Sequence, residues 1–143
     1  MIERAQLATL VPHAGAMLLL DRVESWDTQG LRASSTGHRR SDHPLAQEGR
    51  LAAMHLVEYA GQAMAAHGGL LAPAGSPPAP GLLVALRGVE LSVSHLDDIA
   101  EPLEVRVERK LGDARGWVHD FEVRAAARML ARGRATVMFS PPD

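Results

Sequence analysis

The sequence predicts an α+β fold in which a curved antiparallel sheet of about six strands wraps one long central helix. Three observations carry that reading. A segment rich in alanine, leucine and methionine, all good helix formers, runs from Leu51 to His67. Extended segments lie on both sides of it, several alternating apolar and polar residues with the period of a sheet that has one wet face. The length of 143 residues suits one core, so residues 1–143 are read as a single domain.

Taken in order, Ile2 to Leu10 predicts a short helix, ended by Pro12 and Gly15 because the residue before a proline is pushed out of helical geometry. Leu18 to Trp26 and Leu31 to Thr36 predict a hairpin around the turn Asp27-Thr-Gln-Gly30. A polar loop from His38 to Gly49 leads into the central helix, which Gly68-Gly69 should stop. The Pro-Ala-Gly-Ser-Pro-Pro run within Leu70 to Pro80 reads as a surface connection. Strands are then expected at Leu82 to Val93, Leu103 to Leu111, Gly116 to Ala126 and Met129 to Phe139. The clearest has Leu103, Val105 and Val107 alternating with Glu104, Arg106 and Glu108.

Composition removes several function classes. A formal net charge of −2 and 3% aromatic residues offer neither a basic footprint nor stacking platforms, so nucleic acid is not an expected partner. The lack of cysteine excludes thiolate metal sites and thiol nucleophiles, and suits a reducing cytoplasm. The first residues carry no export signal, and no run approaches the ~18 apolar residues of a membrane span. The chain is therefore expected to be cytoplasmic and not embedded.

The helix carries the chemistry. Leu51, Ala53, Met54, Leu56, Val57, Ala60, Ala63, Met64 and Ala65 line it almost all round, the pattern of a buried helix. Against them His55, Glu58 and Gln62, three and then four residues apart, form a polar stripe that Tyr59 flanks. A buried Glu58 would have to be paired, protonated or set beside a polar cavity, and a raised pKa would suit an acid catalyst. Equally, Glu58 could hydrogen-bond to a loop or mark an exposed helix edge. Periodicity leaves both open.

The order of motifs resembles the hotdog-fold 3-hydroxyacyl-acyl carrier protein dehydratases over most of the chain. Val11-Pro-His-Ala-Gly-Ala-Met-Leu-Leu-Leu-Asp-Arg-Val23 is similar to that family's Leu-Pro-His, spacer and apolar run ending in Asp-Arg-Val. His43-Pro44 matches part of its His-Phe-Pro loop, and Glu58-Tyr-Ala-Gly-Gln62 its Glu-Ala-x-Ala-Gln helix motif. Gly49-Arg-Leu, Glu58-Tyr-Ala and Arg87-Gly-Val-Glu-Leu91 look closest to the ApeP-like dehydratases of aryl-polyene pigment clusters.

The resemblance implies a hotdog fold, a homodimer joined sheet edge to sheet edge, and active sites shared between subunits. It implies His43 as the base that removes the C2 proton of a 3-hydroxyacyl thioester, and Glu58 of the partner subunit as the acid that helps the C3 hydroxyl leave as water. Ala53 would donate its N–H to the thioester oxygen with the helix dipole behind it. Ala53, Met54, Gln62 and His13 are thus the expected substrate-binding residues, His13 shaping the entrance. The chain departs from the family in having Ala52-Ala53 where Pro-Gly is usual, which removes glycine-specific geometry. No cofactor or metal is expected, the acyl group arriving on the phosphopantetheine of an acyl carrier protein.

Other signals are weaker. His55 is a second imidazole candidate, more easily read as a packed side chain, and His38, His67, His95 and His119 read as surface or satisfied core residues. His38, Asp42 and His43 lack metal-ligand spacing, and Ser92, His95 and Asp97 need not converge. Arg39, Arg40 and Arg50 flank the expected mouth, where positive charge would suit an acidic carrier protein. The leading function is a dehydratase. The alternatives are a non-catalytic hotdog partner that pairs with an active dehydratase, and an acyl thioesterase.

Overall fold

The computed structural model describes residues 1–12, 14–73, 81–113 and 115–139. Strands β1 (Arg22–Trp26) and β2 (Gly30–Ser35) precede helix α2 (Leu56–Leu71), and β3 (Gly81–Leu91), β4 (Leu103–Gly112), β5 (Gly116–Ala125) and β6 (Arg128–Phe139) follow it. A short helix α1 (Arg4–Leu7) opens the chain. The six strands form one antiparallel sheet in the order β1-β2-β4-β5-β6-β3, wrapped around α2 as expected for a hotdog fold. No helix among the described residues is long and apolar enough to cross a membrane.

Alternation in the sequence becomes two faces of the sheet. Leu31, Ala33 and Ser35 of β2 sit opposite Val107, Val105 and Leu103 of β4, which sit opposite Phe121, Val123 and Ala125 of β5, and all nine are buried against the helix. On the outer face one register row reads Arg32, Arg106, Glu122, Arg132, Glu90. Its ion pair of Arg132 with Glu90 is exposed and screened by water, so it adds little to stability. Burial of the inner face, not the charge ladder, holds the sheet.

Three expectations need correction. The N-terminal helix is only one turn, because Ile2 instead bridges to Val23 and the following residues turn. The central helix begins as a 3-10 turn at Ala53–His55 and runs through Gly68 and Gly69 to Leu71. Those glycines serve packing: a Cβ at Gly68 would lie 1.9 Å from the Trp117 ring, and one at Gly69 3.0 Å from the Leu10 carbonyl oxygen. Finally, α2 is not buried all round. Met54 is 65% exposed, Glu58 is exposed, and Val57, Gly61 and Ala65 are half-buried, so one face of the helix is open.

The open face lies beside an open edge. Strand β3 ends the sheet, pairing with β6 on one side only. Leu83, Val84, Leu86, Val89 and Leu91 on it are all exposed. A long, apolar, unpaired edge is the kind of surface that proteins normally cover or blunt.

Candidate active site

His43 stands in the loop that leads to α2, held by a bond from its N–H to the Arg40 carbonyl and one from Ala46 N–H to its own carbonyl. Its ring is buried. Leu45 N–H donates to Nδ1 at 3.1 Å, and Nε2 lies 3.0 Å from the Tyr59 hydroxyl. Because Nδ1 accepts, the neutral ring carries its proton on Nε2 and donates it to Tyr59. Burial raises the Tyr59 pKa to about 12, so it remains a phenol. Ser35 partners that phenol, and in turn donates to the Leu19 carbonyl at 2.6 Å. The donors run inward from His43 through Tyr59 and Ser35. Burial, reinforced by nearby His55 and His38, holds the His43 pKa below the ordinary histidine value, so the ring is neutral at neutral pH.

Glu58 faces the other way. Successive helical residues point about 100° apart, so Tyr59 turns toward the core and His43 while Glu58 turns toward solvent. Its carboxyl lines a half-open groove of about 440 Å³, together with Val57, Gly61 and Gln62 of the helix, Leu83 of the edge strand, and Trp117 and Arg109 of the sheet. His43 is absent from that groove's wall, and the two expected catalytic groups do not meet within the chain.

The remaining expected residues are distributed as follows. Gln62 is buried, its Oε1 accepting from Leu19 N–H at 2.8 Å and its Nε2 donating to the Met17 carbonyl at 2.6 Å, so its amide pins the apolar run after the Pro-His motif to the helix. Ala53 N–H donates to the Ser94 carbonyl at 2.9 Å and is not free to bind an oxyanion. The next N–H, that of Met54, has no acceptor among the described residues and opens at the exposed start of the helix. His13 lies outside the described residues.

The loop cations are mostly satisfied: Arg40 pairs with Asp42, and Arg50 with Asp97, which also accepts Leu51 N–H at 2.9 Å. That use of Asp97, with Ser92 Oγ donating to the Met129 carbonyl, leaves no Ser–His–Asp array. Three further histidines are core residues. His38 donates from Nε2 to the Ile99 carbonyl, His67 donates from Nε2 to the Asp27 carbonyl, and His119 lies 3.2 Å from His67 Nδ1. No three His, Cys, Asp or Glu side chains among the described residues could hold a metal ion.

Sequence reasoning missed Ser35 and Tyr59 as partners in the His43 network, and Trp117 and Arg109 as walls of the groove. Tyr59 had a signal, being a phenol on a helix otherwise lined by aliphatic residues. The others depend on register across the sheet.

Comparison with known proteins follows the geometry. A family model described as ApeP-like, ApeP dehydratase, matches residues 5–143. No curated protein matches the chain. Among solved structures, the dehydratase heterocomplex ApeI:P from Xenorhabdus doucetiae is similar at a TM-score of 0.80 and 20% identity, over 94% of this chain and 91% of that one. AziG from S. sahachiroi is similar at 0.65 and 19% identity, over 93% and 99% of the two chains. A mutant of the thioesterase PA1618 from Pseudomonas aeruginosa follows at 0.60 and 15% identity, over 85% and 81%. At these identities the likeness is one of fold.

Proposed function

The chain belongs to the ApeP-like dehydratase family, and from that premise we propose that it acts in the dehydration of 3-hydroxyacyl thioesters, delivered on acyl carrier protein, to trans-2-enoyl thioesters. One observation carries the reading: Glu58 opens into a groove that Leu83 of the unpaired edge strand also lines, while His43 is turned away from it. A carboxyl so placed faces whatever covers β3. A second hotdog subunit pairing along that edge would bury the exposed leucines and bring an imidazole of its own toward Glu58.

In the reaction a base takes the C2 proton, the C2–H electrons form the C2=C3 bond, and the C3–O bond breaks. Glu58 in its acid form protonates the departing oxygen, which leaves as water. Charge that gathers on the thioester oxygen is met by the free N–H of Met54 at the start of the helical segment, not by that of Ala53. The acyl chain lies in the groove along α2.

Two assemblies supply the base. In a homodimer it is His43 of the other copy, which requires its ring to turn and the Leu45 N–H to release Nδ1. In a heteromer it is the imidazole of a different subunit, and this chain contributes Glu58 and the groove while its own His43 stays structural. The bond from Leu45 to Nδ1 favours the second reading, as does the likeness to a dehydratase heterocomplex.

The test is turnover of a 3-hydroxyacyl thioester, followed by the ultraviolet absorbance of the enoyl product, for the chain alone and reconstituted with a second dehydratase subunit. Glu58→Gln is expected to abolish the part of the activity that depends on this chain. Loss on His43→Ala as well assigns the base to this chain, and survival assigns it to the partner. Full activity in Glu58→Gln overturns the site, and release of free thiol makes the protein a thioesterase instead.

A further inference from the structure

At the far end of the groove from Glu58, two glycines make room for a stack of a tryptophan and an arginine. Glu58 and Gly68 are ten residues apart on α2, about 15 Å along its axis at ~1.5 Å per residue. A Cβ on Gly68 would lie 1.9 and 2.1 Å from atoms of the Trp117 ring, and one on Gly112 would lie 2.1 and 2.2 Å from guanidinium nitrogens of Arg109. Only glycine at both positions lets Trp117 lie against the helix and Arg109 lie over Trp117, its guanidinium carbon 4.7 Å from the ring centroid. Both side chains line the groove.

No anion among the described residues answers the arginine. Among the described residues it forms no ion pair, and its guanidinium meets no hydrogen-bond acceptor. Arg109 acts on His67 and His119, which are buried and held neutral chiefly by burial and in part by Arg109 itself, with Asp27 and Asp120 opposing. Along the rest of the groove the helix offers Val57, Gly61, Ala65, Gly69 and Ala72, which suit a hydrocarbon chain. The cavity, about 440 Å³, is of the size that holds a small organic ligand. A groove with a carboxyl at one end, apolar walls, and an unanswered guanidinium at the other is polarised for a ligand that is polar at both ends.

We infer that the acyl group taken by this groove carries a hydrogen-bond-accepting oxygen at its far end, and that Arg109 is the residue that selects it. The inference rests on the proposal that the thioester lies at the Glu58 end. A planar guanidinium already fixed by its stack loses little freedom on binding such an oxygen, and it can hold a carboxylate through two parallel bonds. A methyl end placed there would instead strip water from a cation without replacing it.

The test measures binding, not turnover. Three N-acetylcysteamine thioesters of equal chain length, ending in a methyl group, a methyl ester and a carboxylate, are titrated calorimetrically into the full chain in the assembly it forms in solution. The carboxylate-ended or ester-ended compound is expected to bind about tenfold or more tightly than the methyl-ended one. A preference for carboxylate over ester assigns an anionic end, and equal binding of those two a neutral carbonyl oxygen. Arg109→Met should erase the preference, weakening the ester-ended and carboxylate-ended compounds to the level of the methyl-ended one. If that variant does not fold, Arg109→Lys, which keeps the charge but not the planar fork, should reduce the preference.

Methyl-ended binding that equals the others in the unsubstituted protein, a preference that survives loss of Arg109, or binding of none of the three overturns the inference. Because no turnover is read, end-group selection in a protein that dehydrates nothing would refute the proposed reaction and leave this assignment standing. Dehydration without end-group selection would do the reverse.

Discussion

Gly61 and Gly68 lie in the same helix and ask opposite things of an added methyl group. Replacing glycine by alanine within a helix stabilises by about 0.5–1 kcal/mol when the methyl meets nothing. At Gly61 a Cβ has no neighbour within 4 Å, so Gly61→Ala should gain that amount. At Gly68 the Cβ would sit 1.9 Å from the Trp117 ring, where ordinary contact begins at 3.4 Å, so the ring must retreat by the difference, about 1.5 Å. Overpacking of that kind costs about 1–3 kcal/mol, and displacing the ring also loses its contact with Arg109, about 0.5–1 kcal/mol more. Set against the helix gain, Gly68→Ala should be about 1–3 kcal/mol less stable than the unsubstituted chain, and about 2–4 kcal/mol less stable than Gly61→Ala. Urea unfolding of the three proteins, at matched concentration and with m held common, reads this as a gap of about 1–3 M between the midpoints of the two variants. Equal midpoints would refute the packing account of Gly68.

Other outcomes follow from the same contacts. Gln62→Leu leaves Leu19 N–H and the Met17 carbonyl unpaired, and should cost about 1–3 kcal/mol in urea unfolding with faster amide exchange at Leu19. Burial, with His67 and Arg109 disfavouring a second positive charge beside them, pushes His119 down to about 4, while an unfolded histidine titrates near 6.5. Between those values the unfolded chain takes up a proton that the folded chain refuses. Stability should therefore be level above about pH 7 and fall below it, by up to about 1.4 kcal/mol per pH unit for His119, with His67 adding to the slope. Denaturation midpoints measured across that range check the sign, and a rise toward acid would contradict the buried neutral pair. Leu86→Lys places a charge on the exposed edge strand, and should lower the molar mass seen by light scattering while leaving the circular dichroism of the fold intact.

What the residues disclosed beforehand was whatever depends on local period. Leu103, Val105 and Val107 alternate because one side of β4 meets the helix and the other meets water, and no distant contact is needed to see it. The helix end is hidden for the opposite reason. Gly68-Gly69 has the composition of a stop, but the choice between stop and close approach is made by Trp117 and Leu10, which lie far away in the chain. Glu58 and its stripe are legible from the helical spacing, yet its exposure depends on a face of α2 that one chain leaves open. The occupied N–H of Ala53 was hidden as well, since its acceptor, Ser94, belongs to a segment without periodic pattern. Arg109 falls in the inward phase of β4, two residues after Val107, and only the register across the sheet sets it beside Trp117.

The edge strand has a consequence for how much of this protein exists in folded form. With Leu83, Val84, Leu86, Val89 and Leu91 uncovered, any subunit that docks on β3 binds the folded chain and not the unfolded one. Its free concentration then enters the folding equilibrium directly: at a hundred times the dissociation constant it adds about 2.7 kcal/mol. For a domain whose own stability is about 5–15 kcal/mol, that is a large share. The melting temperature becomes a property of the mixture, rising with the amount of partner present. Chain made in excess of whatever docks on β3 would keep its apolar strand bare, open to proteolysis and to pairing with the wrong edge.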